Sequence, residues 1–325
     1  MTAQKRRPRI LLIGAGRFGC RHLETLQQME DHGTLELLAV VTRTTASARR
    51  IRRRYHVSTV TMLTPALLKQ ADGVVVVTPA ETHARLVRRC LRFAHVLVEK
   101  PMALRAREAE RLVQIARRYR HRLMVGHVFR FHPVVRALRK IIQVHRRELY
   151  LIEAWFINPG PPDVGVGALA ALLHPFDMLD DLMGKPPSGL ASTTIHTLRH
   201  DSHLEDGASV WLRYPQGVTA WVEVGWMGWQ KIRSLTLSFM RMRVTADLLT
   251  GSLQIERPGR RRQIRRLAVG QPLRTELEQF IRSLRRPHAL DVDGAVGCRI
   301  LRIVDAARRA AHAGVCRLPG GAACA

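Results

Sequence analysis

The feature that most constrains the fold sits near the N-terminus. A short apolar run, Ile10-Leu11-Leu12-Ile13, meets the turn Gly14-Ala15-Gly16-Arg17-Phe18-Gly19, and a helical pattern follows at once. Glycines at the first, third and sixth positions of a strand-to-helix turn each have a task. Gly14 allows the sharp turn, Gly16 lets the backbone approach a pyrophosphate, and Gly19 lets the helix pack closely on the strand. The N-terminus of that helix then faces the phosphates. Strand, turn and helix together predict a dinucleotide site that includes Arg17 and Phe18.

The chain beyond the turn repeats the same unit. Short apolar runs at 9–13, 35–41, 57–60, 73–77, 96–98 and 123–125 alternate with helical patterns at 18–29, 47–54, 80–92 and 105–120. Runs such as Val74-Val75-Val76-Val77 are apolar throughout, as strands buried on both faces of a parallel sheet are. The expectation is an α/β fold whose N-terminal part is a Rossmann doubly wound parallel sheet. After His127 the pattern changes. A helix over 133–144, a strand over 149–157, a helical stretch over 168–183 and several consecutive strands between 188 and 256 predict an α+β domain. Its sheet should be open and mostly antiparallel. Helices over 273–284 and 292–312 close the chain, and Pro319-Gly320-Gly321-Ala322 reads as a disordered end. With 325 residues, two domains are expected, at 1–126 and 127–325.

Composition excludes some function classes. No stretch of ~18 uncharged apolar residues is present, so no membrane span is expected. The four apolar residues before Gly14 are too few for a signal-peptide core. Five cysteines without a C-x-x-C pair argue against a disulfide framework or a zinc site and fit a reducing compartment. A cytoplasmic protein is expected. The net charge of +27 raises the question of nucleic acid. The basic residues are arginines spread along the whole chain, with only six lysines, and no nucleic-acid-binding motif accompanies them. Dedicated nucleic-acid binding is therefore not expected; a positive surface aids the arrival of an anionic cofactor or nucleotide substrate. The histidines from His196 to His203 fall on a strand and loop, where helical ligand spacing fails, so no metal is expected. Trp221, Trp226 and Trp229 fit a sheet or subunit interface, and a homodimer or homotetramer is expected.

The end of the second strand bears on the cofactor. An acid there would hold a ribose 2′-hydroxyl, but the chain reads Val40-Val41-Thr42-Arg43. Thr42 and Arg43 can receive a 2′-phosphate, and Arg43 can stack on adenine. Of NADP and NAD, this favours NADP.

Four segments in order make the reading more specific. They are Thr78-Pro79 with His83 and then Val98-Glu99-Lys100-Pro101; Gly126-His127-Val128-Phe129-Arg130-Phe131-His132-Pro133; His174-Pro175-Phe176-Asp177-Met178-Leu179; and Pro272-Leu273-Arg274-Thr275-Glu276-Leu277. With the glycine turn they resemble the Gfo/Idh/MocA oxidoreductases over nearly the whole chain. Gly160-Pro161-Pro162 and Asp163-Val164-Gly165-Val166 are similar to segments of the UDP-N-acetylglucosamine 3-dehydrogenase-like branch. The resemblance implies an NAD(P)-dependent dehydrogenase or reductase of a sugar or nucleotide sugar. It places Thr78, Pro79, His83, Glu99 and Lys100 along the cofactor. Lys100 lies beside the nicotinamide, and His174 faces it from the second domain. Asp177, Arg130 and His127 would hold the substrate. An imidazole is suited to move the carbinol proton, and an ammonium to stabilise a developing alkoxide.

One position departs from the family pattern. An aspartate is common one helical turn before the histidine, where this chain has Ala170. Either His174 works without that partner, or the protein is a catalytically weak NAD(P)-binding regulator of the same fold. A reductase of a non-sugar carbonyl or imine would share the fold and need neither Lys100 nor His174.

Overall fold

The structure, a computed structural model, describes residues 6–160, 165–197, 204–285 and 290–312. Pro161-Pro162, Asp163-Val164, His200, His203 and the C-terminal 319–322 segment lie outside these residues.

The first half builds in sequence order: β1 (Arg9–Ile13), α1 (Arg17–Asp31), β2 (Glu36–Val41), α2 (Thr45–Tyr55), β3 (Thr59–Val60), α3 (Pro65–Gln70), β4 (Gly73–Val76), α4 (Ala80–Cys90), β5 (His95–Glu99), α5 (Ala106–Arg118) and β6 (Leu123–Gly126). The strands pair in parallel in the order β3-β2-β1-β4-β5-β6. The chain winds outward from β1 to β3, then crosses back to β4, so the switch point lies between β1 and β4. Ligands of such sheets bind at the strands' carboxyl ends beside that switch, where Gly14 follows β1. The buried run Val74–Val76 in β4 bears out the reading of two covered faces. Local chemistry fixes the helix starts. Thr44 accepts from the Ser47 amide at α2, and Thr64 accepts from the Leu67 amide at α3, where Pro65 opens the helix. The sequence reading missed α3, which is too short for an amphipathic period to show.

A 3-10 turn (Val128–Phe131) and α6 (Pro133–His145) lead into β7 (Leu149–Pro159). Then come α7 (Ala168–Ala171), α8 (His174–Met183), β8 (Gly189–His196), β9 (Gly207–Arg213), β10 (Thr219–Gly225), β11 (Met227–Phe239), β12 (Met242–Asp247), β13 (Ser252–Glu256), β14 (Gln263–Arg266), α9 (Pro272–Arg285) and α10 (Gly294–His312). The second sheet runs β14-β13-β12-β11-β7-β10-β9-β8. Its β7–β10 pair is parallel, and the other neighbours are antiparallel. Alternation divides its faces. Ile152, Ala154, Phe156, Val222, Val224, Leu235 and Leu237 are buried, and α8 and α10 pack against this sheet. The opposite face carries Glu153, Trp155, Trp211, Trp221 and Glu223, with Trp211 and Trp221 stacked at 5.1 Å.

The expected helix over 168–183 is two helices. α7 ends at Ala171, and α8 begins at His174 with Pro175 in its first turn. Proline has no amide hydrogen and cannot extend an earlier helix without losing a bond. The last two helices return to the first half. Phe280 and Leu284 of α9 would meet a Cβ placed on Gly73 of β4, and Asp305 of α10 accepts from the Ala106 amide of α5.

Candidate active site

The glycine turn is built by backbone contact. Gly14 has φ +101°, and a Cβ there would overlap the Val77 carbonyl at the end of β4. A Cβ on Gly19 would lie 2.5 Å from the Gly14 oxygen. Nothing stands within 4 Å of a Cβ on Gly16. Gly16 also caps α1 with no side-chain bond and no acid in the first turn. Space is thus open beside this helix start, and no acid offsets the positive potential of its end, which fits a dinucleotide pyrophosphate. Arg17 and Phe18 are exposed beside it. At the end of β2, Thr42 is buried and its hydroxyl donates to Thr44 O at 3.2 Å, while Arg43 is exposed. Arg43 is thus free to meet a ligand, and Thr42 is not equally so.

Two loops at the carboxyl ends of β4 and β5 are joined by one ring. Buried His83 places Nδ1 2.7 Å from Pro101 O and Nε2 2.7 Å from Thr78 O. His83 thus ties the two loops together, and the Thr78 hydroxyl turns to Thr82 at 2.6 Å. Pro79 is exposed at the start of α4. Glu99 is buried, accepts from the Lys100 amide at 3.2 Å, and lies 2.9 Å from His22 Nε2 of α1. The Lys100–Pro101 bond is cis.

Lys100 reaches the other half of the molecule. Its ammonium donates to Ala171 O at 2.6 Å, at the end of α7, where a helix leaves carbonyls unsatisfied. Three residues on, half-buried His174 opens α8. Its ring packs edge-on to Phe129 at 4.8 Å and beside Phe156, and Nδ1 is buried without a partner. Burial, with the positive charges of Lys100 and Arg233, holds His174 well below the usual imidazole range. Burial and Arg233 also lower Lys100, against the pull of Glu99. Where an aspartate would stand one turn before the histidine, Ala170 is buried on a separate helix.

The expected substrate residues are brought together but face one another. Arg130 donates to Asp177 Oδ1 at 2.7 Å and to Asp180 Oδ2 at 2.8 Å, with Asp181 at 3.7 Å. Arg299 and Arg139 complete the cluster on Asp180 and Asp181. Asp177 is 0% exposed, and burial pushes its carboxyl up to about 7 against the pull of Arg130. His127 is buried, with Nδ1 3.6 Å from Asp177 Oδ2, and burial and Arg130 hold it well below the imidazole range. Arg130 therefore clamps the 3-10 turn to α8.

Sequence reasoning missed Arg233 as a site residue. It is buried on β11, donates to Ile157 O at 2.8 Å and Asn158 Oδ1 at 2.6 Å, and lies 4.9 Å over the Phe156 ring. Burial lowers it to about 10. The segment Lys231-Ile232-Arg233 has the texture of the nucleotide-sugar branch, but in a chain with so many arginines it gave this one no role. Lys231, exposed on the same strand, feels the charges of Arg233, Arg21 and Arg17, so the cations gather opposite the glycine turn. Among the described residues, no helix is long and apolar enough to cross a membrane.

Comparison with known proteins agrees with this geometry. Residues 8–127 match the model of an oxidoreductase family with an NAD-binding Rossmann fold, and residues 139–246 match the GFO/IDH/MocA C-terminal domain. UDP-N-acetylglucosamine 3-dehydrogenase of Acidithiobacillus ferrooxidans is 25% identical over 73% of this chain and 77% of its own. Its crystal structure superposes with a TM-score of 0.84 over 95% of this chain and 99% of that one, at 23% identity. The dTDP-3,4-didehydro-2,6-dideoxy-α-D-glucose 3-reductase of Actinomadura kijaniata is 30% identical over 66% of this chain and 68% of its own. A 3-ketoreductase of that organism, solved with NADP and TDP-benzene, has a TM-score of 0.84 over 94% of this chain and 98% of that one, at 24% identity. The chain belongs to the Gfo/Idh/MocA family and is an NAD(P)-dependent oxidoreductase.

Proposed function

We propose that the protein transfers a hydride between NADP and a carbon of a nucleotide sugar, with Lys100 and His174 handling the proton. The observation that carries this reading is the Lys100–Ala171 bond at 2.6 Å, which brings an ammonium of the first half to within three residues of His174. When bound, the cofactor supplies or accepts the hydride. His174, kept neutral by burial and by neighbouring cations, is ready to take the carbinol proton in the oxidising direction. Lys100 stabilises the oxygen from which that proton leaves. Phe129 and Phe156 fix the imidazole ring and exclude water from one side.

Two further features support the choice of ligands. Arg43 is exposed at the strand end with no acid beside it, which favours a 2′-phosphate. Arg17 and Arg21 on α1 and Lys231 on β11 are exposed and within electrostatic reach of one another beside the glycine turn, more positive charge than the cofactor's pyrophosphate needs, so a diphosphate-linked sugar fits better than a neutral polyol. Named relatives act on substrates of both kinds, nucleotide sugars and inositol. In this reading residues 1–126 form the cofactor domain and 127–325 the substrate domain, in the cytoplasm. The tryptophan-bearing face of the second sheet, with Trp229 fully exposed on β11, pairs with a second copy in a dimer or tetramer.

Turnover of UDP- and dTDP-linked sugars and of free inositol, each with NADP and NAD, tests the proposal. NADP-dependent turnover of a nucleotide sugar is expected. Arg43→Ala should raise the NADPH Kd by about tenfold, as loss of a charged hydrogen bond does, and leave NADH unchanged. Turnover of inositol alone would contradict the substrate class. The regulatory reading keeps one observation in its favour, since Ala170 leaves His174 Nδ1 without a carboxylate. Tight NADPH binding without turnover of any substrate is the result it requires.

A further inference from the structure

The carbonyl that holds the Lys100 ammonium belongs to Ala171, the last residue of α7. α7 has four residues, too few for a helix to keep its shape by its own hydrogen bonds. Its position must come from its neighbours, and it packs against β9, β10 and α10. The Ala168 amide donates to Glu205 O at 2.9 Å, which ties the start of the helix to the segment before β9. The Ala171 and Leu172 amides then donate to Gly167 O and Ala168 O at 2.9 and 2.8 Å, so the Ala171 carbonyl follows from that start. The Glu205 side chain touches α7 as well. A Cβ on Gly167 would lie 2.3 Å from its carboxyl, so the carboxyl rests against the glycine backbone where any other residue would carry a side chain. Arg308 of α10 grips this buried carboxyl from Nη2 at 2.8 Å and from Nε at 3.3 Å. The two side chains are only 18% and 8% exposed. A line of direct contacts thus runs from α10 through Glu205 and α7 to Lys100 in the first half.

A lysine stem is flexible and does not fix its own ammonium, so the acceptor decides where the charge sits. We propose that Glu205 and Arg308 are positioning residues for Lys100: their ion pair seats α7, and α7 sets the place at which the Ala171 carbonyl holds the ammonium. Both act through α7. Removing one partner of so buried a pair leaves the other as an uncompensated charge. Without Arg308 the Glu205 carboxyl turns towards water and leaves Gly167, and the start of α7 loses its support. The helix end then shifts, and the ammonium with it. A group that must meet a reacting oxygen is sensitive to a displacement of about 1 Å.

The kinetic part of this inference rests on the proposed role of Lys100; the structural part does not. Nuclear magnetic resonance of the full chain, with nitrogen-15 in its lysines and no substrate, reads the latter directly. An ammonium held by a buried carbonyl exchanges its hydrogens slowly. The wild type should show one such protected signal, absent from Lys100→Met. In Arg308→Met its exchange should be faster by about tenfold or more, the scale of a lost charged hydrogen bond. Arg308→Lys keeps the charge and should keep most of the protection. A wild type without the protected signal, or equal protection in wild type and Arg308→Met, overturns the proposal. If Arg308→Met does not fold, Gly167→Ala serves, because its Cβ displaces the Glu205 carboxyl from α7; unchanged protection there overturns the proposal equally. With a turned-over substrate, Arg308→Met should lower kcat by about tenfold with the NADPH Kd unchanged, and Arg308→Lys should restore it. An unchanged kcat overturns the positioning role. Absence of wild-type turnover speaks against the oxidoreductase reading alone, because the ammonium signal is read without substrate.

Discussion

The two walls of the cleft are made by different physics. The cofactor wall is a backbone construction, in which glycines admit close approach and one buried histidine ties two loops by their carbonyls. The wall contributed by the second half is a construction of buried charge, in which Arg130, Arg139 and Arg299 hold Asp177, Asp180 and Asp181 together. A backbone site is specified by a few adjacent residues and tolerates little change in them. A charge cluster is specified by residues far apart in sequence and depends on all of its members being present.

Substitutions that act on one wall only can break this comparison. The largest effect is expected for Gly14→Ala, which combines a positive φ with an overlap on the Val77 carbonyl. Loss of about 3 kcal/mol or more in urea unfolding is expected, together with loss of NADPH binding. Arg130→Met should cost about 3–5 kcal/mol, because it leaves buried carboxylates without their cation. A ligand-binding arginine would instead raise KM and leave stability alone, so the two measurements together decide which role Arg130 has.

Smaller effects sharpen the same contrast. Burial holds the Asp177 carboxyl at about 7 and raises that of Glu276, buried on α9, well above its usual value. Both thus hold protons in the folded state that the unfolded chain has released. The folded state then binds more protons, so their contribution to stability falls as pH rises from about 4 through 7. Glu276→Gln should flatten that fall by about 1 kcal/mol or more between about pH 5 and pH 8, as urea unfolding at both pH values would show. The smallest stability change is expected for Gly16→Ala. Its Cβ meets no atom, so stability should stay within about 0.5 kcal/mol while NADPH affinity falls by at least about tenfold.

What the sequence disclosed follows the same division. The strands of the first sheet, the glycine turn and the Glu99-Lys100-Pro101 segment were legible, because local periodicity and short motifs encode them. The second sheet was legible as a run of consecutive strands, but not its parallel β7–β10 pair, which depends on register between distant segments. The break between α7 and α8 escaped because Leu172 and Leu173 continue an apolar pattern across it, although Pro175 was a usable sign. Arg130 and Asp177 were found as residues but read as ligand groups. Only the fold shows that they neutralise each other. Glu276 had a place in a motif and no role, since its burial away from any donor among the described residues exists only after α9 has packed between the halves.

The central claim is that Lys100 and His174 form the reacting pair across the two walls. Transfer of deuterium from 4-deuterated NADPH to a 3-keto nucleotide sugar, followed in single turnover, tests it most directly. Wild type should place the label on the product carbinol. Lys100→Met and His174→Asn should each slow that transfer by about 10²-fold or more with an unchanged NADPH Kd, the usual scale for loss of an acid–base group. Transfer at the wild-type rate in both variants would contradict the claim.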